Sequence, residues 1–144
     1  MPRFNFRLQG HLNLKSKIED QRKLEYGQAV SELERERALL ARLELQRTDT
    51  ISAFREGINE GIKPQAASNF NSYLNWLKES IRLQAENVTQ AEEIVARRRA
   101  ALAEAMKERK MLETLKEKHY EDFMREENLA EQKTIDEIVS YRHK

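Results

Sequence analysis

Taken at alternating intervals of four and three from Phe70, the chain presents Phe70, Leu74, Leu77, Ile81, Gln84, Val88, Ala91, Val95, Arg98, Leu102, Ala105, Arg109, Leu112, Lys116, His119 and Phe123, and eleven of these sixteen positions are apolar. That interval is the seam of a helix packed along one partner helix. Upstream, the same interval meets Val30, Leu33, Arg37, Leu40, Glu44, Arg47, Ile51, Phe54 and Ile58, six of nine apolar. Polar entries such as Arg37, Glu44 and Arg98 weaken the seam but can fix its register. Exposed pairs such as Glu19 with Lys23 and Glu93 with Arg97 are expected to add only a few tenths of a kcal/mol each, roughly.

Between the stripes lies "REGINEGIKPQAAS", residues 55–68, with Gly57, Gly61 and the one internal proline, Pro64. Glycine supplies left-handed backbone angles and proline removes a helical donor, so a helix stops here. Ser68 is a reasonable N-cap for the next helix. The pattern predicts helix one over about 6–56, a turn over about 57–65 and helix two over about 66–140, in a single all-α domain spanning 1–144. Two striped helices joined by one break form an antiparallel coiled-coil hairpin. Folding near residue 62 sets Phe54 opposite about Phe70 and Met1 opposite about Phe123. Helix two then overhangs helix one by about 20 residues, or about 30 Å at the helical rise. A helix end this polar is marginal in water by itself. Leu129, Ile135, Ile138 and Val139 give it apolar contacts to offer another protein, and a frayed tail is the competing reading.

Composition narrows the class. Charged residues make up 35% of the 144 and aromatics 7%, with four glycines and two prolines. That profile suits long helices rather than a wide core, so an elongated rod is expected. The net charge of +1 gives no global field toward nucleic acid or anionic lipid. The absence of cysteine excludes disulfides and thiolate metal sites and fits a reducing compartment. No apolar run approaches the roughly 20 residues that span a bilayer, and the start carries no signal-sequence core, so a cytosolic, soluble protein is expected.

Candidate chemistry is sparse. His11, His119 and His143 show no metal-ligand spacing, and no phosphate loop, nucleophile elbow or cysteine nucleophile is present. No enzyme, metal or cofactor is expected. Arg97, Arg98 and Arg99 point around a helix rather than along one face, and Glu104 and Glu108 follow, so a solvated surface is favoured over nucleic-acid binding. The narrow, mixed-charge stripe does not suit a membrane surface. Protein partners remain. "SNFNSYLNWLKESI" sets Tyr73 and Trp76 off the seam, either as interface aromatics or wrapping the hairpin tip. The basic start, with Arg3, Arg7, Lys15 and Lys17, falls near the acidic "HYEDFMREENLAE" in the hairpin.

"FNFRLQGHLNLKSK" with Tyr26, then "NEGI" and "YLNWLKESI", then "LETLKEKHYEDFMREENLAEQKTIDEIVSYR" with Gln132, Lys133, Asp136 and Glu137, resemble in order the opening, hairpin and C-terminal signature of the FliJ family. That resemblance implies a soluble coiled-coil component of the flagellar type III export apparatus, similar to the central stalk of rotary ATP synthases. It implies three partners: the hexameric export ATPase FliI, the export gate protein FlhA and substrate-free export chaperones. It implies a cytoplasmic place at the inner-membrane export apparatus, with membrane contact only through partners. Carried over, ATPase binding falls at Phe4, Arg7, Leu8, Gln132, Lys133, Asp136 and Glu137, and gate binding at Leu43, Tyr73 and Leu77. Gln46 and Thr50 stand where some relatives have aromatics. Rival readings are a generic scaffold that homodimerises through an exposed stripe, the stalk of another rotary ATPase, and a basic nucleic-acid adaptor.

Overall fold

The structure, a computed structural model, describes residues 3–143. Two helices, α1 (Gln9–Glu60) and α2 (Pro64–Arg142), make up nearly all of it, 52 and 79 residues long, with no strand among the described residues. The fold is the expected all-α pair of antiparallel helices. No helix among the described residues is long and apolar enough to cross a membrane.

The turn is tighter than the expected 57–65, comprising only residues 61–63. Gly57 stays inside α1, where the Ile62 side chain folds over it and a Cβ would meet Ile62 Cδ1 at 3.1 Å. Gly61 ends the helix with φ +89°, the left-handed conformation that glycine adopts at low cost. Its amide donates back to the Ile58 carbonyl at 3.2 Å. Pro64 opens α2 rather than delaying it, because the first helical position has no intrahelical use for an amide hydrogen. The Lys63 carbonyl accepts from the Ala67 amide at 3.0 Å, so Lys63, not Ser68, occupies the capping position. At the other end α1 starts at Gln9 rather than residue 6, after a turn in which the Gln9 amide donates to the Phe6 carbonyl at 3.0 Å.

The chain divides into two compact units. In the unit Lys23–Ala100, the end of α1 packs on the start of α2 around Leu33, Val88 and Ala91, with Leu40 and Val95 against them. Leu77 is fully enclosed, at 0% exposure. Phe54 meets Phe70 edge-on, ring centres 5.1 Å apart, as the register predicts. On α2, Gln84 is buried, and its side-chain amide donates to the Glu36 main-chain carbonyl at 2.9 Å and to the Glu36 carboxylate. That contact draws Glu36 inward, and the α1 seam shifts with it. Glu36, Leu43 and Gly57 are partly covered, whereas Arg37, Glu44, Arg47 and Ile58, expected on the seam, face solvent. The covered row 36, 43, 50 and 57 keeps the interval of seven and is displaced by one residue toward the start of the chain, the position at which Glu36 meets Gln84.

In the unit formed by Met1–Arg22 and Ala101–Lys144, Phe6, Leu12 and Ala105 are buried. Glu19, expected on the surface, is only 4% exposed because it accepts a hydrogen bond from the Arg109 guanidinium. The expected pairing of Met1 with Phe123 lies outside the described residues. Among those described, Phe4 takes the corresponding place, its ring 5.3 Å from Tyr120 and 5.5 Å from Phe123.

Candidate functional site

The free end of α2 is where the fold leaves a helix uncovered. Past Phe123, α2 continues to Arg142, and of residues 124–143 all but Glu127 are exposed. What holds this segment helical is local: Gln132 Nε2 donates to Asp136 Oδ1 at 3.3 Å and Thr134 Oγ1 to the Ala130 carbonyl at 3.0 Å. The helical period sorts it into two sides. Ile135, Ile138 and Val139 share one, while Lys133 and Glu137 share another with Asp136 beside them. Gln132, Lys133, Asp136 and Glu137, the expected ATPase-binding residues of α2, therefore form one exposed polar patch next to exposed apolar side chains.

The other three expected members sit elsewhere in the same unit. Phe4 and Leu8 are half-buried, and Arg7 is exposed. Arg3, Phe4 and Arg7 line one shallow groove with His119, Asp122, Phe123 and Glu126, about 370 Å³ in volume. The expected approach of the basic start to the acidic stretch is thus met by geometry. At the helical rise, Gln132 and Glu137 lie about 13 and 21 Å beyond Phe123. The fold does not bring the two groups of residues into contact, so they are two stations along one surface. Tyr120, half-exposed and set edge-on against Phe4, belongs to the first station and was not among the expected residues. Its signal was the spacing Tyr120–Phe123, one helical turn, at the position where the chain's first aromatic has to land.

Electrostatics tie the start of the chain down. Lys15 Nζ bonds Glu108 at 2.9 Å, and Arg109 bridges Glu19 to Glu113, the latter at 2.7 Å. The Glu19 carboxylate first, and Glu113 second, hold the Arg109 guanidinium more firmly protonated than usual.

In the other unit, the expected gate-binding residues separate by exposure. Tyr73 is half-exposed and stacks on Trp76, ring centres 5.8 Å apart and planes 16° from parallel. Tyr73 also lines a groove of about 520 Å³ with Asp49, Thr50, Ala53, Ala66, Asn69 and Phe70. Leu43 is half-buried on α1, two turns or about 10 Å before Thr50. Leu77 is enclosed between the helices and offers no surface to a partner while they are paired. Thr50, where aromatics were noted as the alternative, points into this groove and donates to the Gln46 carbonyl at 2.7 Å. Among the described residues no group of three His, Cys, Asp or Glu side chains could hold a metal ion.

Residues 4–144 match the sequence model of the family described as "Flagellar FliJ protein". No curated protein sequence gives a significant match. Among solved structures, one from Chlamydia trachomatis described as a YscO homologue superposes with a TM-score of 0.73 at 22% identity, covering 98% of this chain and 96% of that one. At that identity the likeness is one of fold.

Proposed function

The chain belongs to the family of flagellar FliJ proteins, and from that membership we infer that it serves as a non-catalytic component of the flagellar type III export apparatus, acting on the export ATPase FliI through the free end of α2. The observation that carries this reading is the length of α2. It runs about seventeen turns as one member of a pair and then roughly five more with no described helix beside it, ending in Arg142. A polar helix of that length is marginal in water alone, and a surface that pairs Ile135, Ile138 and Val139 with Gln132, Lys133, Asp136 and Glu137 suits seating in a ring of subunits. Phe4, Arg7 and Leu8 form a second contact nearer the paired part. Such a rod supplies no chemistry. It biases a ring only through different contacts with different subunit states, and it stabilises the assembled ring by mass action.

The gate protein FlhA is engaged on this reading by Tyr73, with Leu43 beside it and Leu77 holding the helix that presents the tyrosine. Substrate-free export chaperones are the third partner, and the protein works in the cytoplasm, reaching the inner membrane only through these contacts. Charge reversal at Asp136 and Glu137 is expected to abolish stimulation of FliI while circular dichroism shows unchanged helicity. Stimulation retained by the variant would remove the patch from the function.

A further inference from the structure

We propose that the first turns of α1, residues 9–22, form a releasable strap on α2, one that lifts as a unit while the rest of α1 stays paired. The covered positions of the chain change character where this strap ends. Taken at intervals of four and three, Leu8, Leu12, Lys15, Glu19 and Arg22 are covered, and three of these five are charged. From Tyr26 to Gly57 the same interval meets nine covered positions, of which Glu36 alone is charged. The compact units divide at the same place, between Arg22 and Lys23.

The middle of the strap is held by charge. Lys15 Nζ bonds Glu108 at 2.9 Å, and Glu19 accepts from Arg109, which also donates to Glu113 at 2.7 Å. Ion pairs drawn out of water contribute little net stability, because desolvation offsets most of their attraction. The outer end is an apolar clasp. Phe6 and Leu12 are buried, Phe6 stands edge-on to His119 at 5.7 Å, and Phe4 stands edge-on to Tyr120. Behind the strap lies a weak point. Gly27 sits inside α1 with nothing within 4 Å of where a Cβ would stand, so no neighbour requires a glycine there, and glycine disfavours the helix. A lone helix as short as the strap does not persist in water, so release of the clasp melts it. Residues 23–27 are its hinge, and beyond them Ala29 and Leu33 begin the apolar seam.

Release lengthens the free part of α2. With the strap closed that part runs from residue 124 to Arg142; with it open it begins at Ala101, uncovers Leu102, Leu112 and Leu115, and grows from roughly five turns to roughly twelve. The strap therefore sets how much of α2 another protein can reach. Its opening is a property of the chain alone and does not depend on the ATPase reading.

Native-state hydrogen exchange of the full chain, followed amide by amide by NMR and corrected for intrinsic rates, tests the strap. The expected result is a step: amides 13–22 share one opening and are protected roughly tenfold less, or weaker still, than amides 30–54. Glu19→Gln keeps the size of the side chain and removes its charge. It should speed exchange across the whole of 13–22 by roughly tenfold, the loss of one charged hydrogen bond, and leave 30–54 unchanged. Equal protection across 13–54 overturns the proposal, since α1 then opens only as a whole. So does a smooth gradient inward from residue 13, which is the fraying of any helix end, or a Glu19→Gln effect confined to the neighbouring amides.

Discussion

Leu77 and Tyr73 are four positions apart on α2, and the fold treats them oppositely. Tyr73 stands about two-fifths exposed, at 41%, and stacks on Trp76, while Leu77 is sealed at 0%. Truncating Leu77 to alanine removes about three methylene-sized groups from an enclosed site and is expected to cost about 2–5 kcal/mol, read as a lower midpoint of urea unfolding. The Tyr73→Ala change should leave that midpoint nearly in place. Two glycines differ as sharply. Gly61 holds φ +89°, so Gly61→Ala should destabilise by about 1–2 kcal/mol. Gly27 sits inside α1 with nothing within 4 Å of the position a Cβ would take, so Gly27→Ala should stabilise by up to about 1 kcal/mol through helix propensity. Thermal unfolding of the pair distinguishes them by sign. At the surface, the Arg82 guanidinium donates to both oxygens of Glu79, and that hydrogen bonding holds the Glu79 carboxyl below its ordinary range. A depressed acid stabilises the folded state fully above its unfolded value and loses that contribution as pH falls through its folded value. A carboxyl carbon titration by NMR should show Glu79 releasing its proton at lower pH in the wild type than in Arg82→Ala, and no stability change from this pair around neutrality.

At the level of the helices, most of what the hydrophobic interval announced is present. Of the sixteen α2 seam positions, only Arg98 and His119 are exposed, and Phe54 faces Phe70. Long apolar intervals over a 79-residue helix average out local exceptions. The α1 seam was less legible because two of its turns are decided by polar side chains that pattern alone treats as surface. Gln84 pulls Glu36 inward across the pair, and Arg109 pulls Glu19 out of the water it was expected to share with Lys23. In both cases the partner is more than 45 residues away, and hydrogen-bond geometry, not hydropathy, selects the turn. The helix ends were misjudged by the same kind of exception: Pro64 begins a helix where proline alone reads as a stop, and Gly57 survives inside one because Ile62 packs over it. The candidate site was legible where it depends on length. An unpaired helix end follows from counting residues on either side of the break.

For the whole molecule, a net charge of +1 leaves no general attraction for a polyanion, and function has to come from particular surfaces. Family membership over residues 4–144 names the apparatus, and the end of α2 beyond Phe123 is exposed at all described residues but Glu127. The most direct trial is ATP hydrolysis by the cognate export ATPase in the presence of the full chain and of a chain ending at Met124. That truncation leaves Phe4 its contacts with Tyr120 and Phe123 and removes only residues past the paired part. Stimulation by the full chain and none by the shortened one is the expected result. Equal stimulation by the two would contradict the assignment of function to the free end of α2.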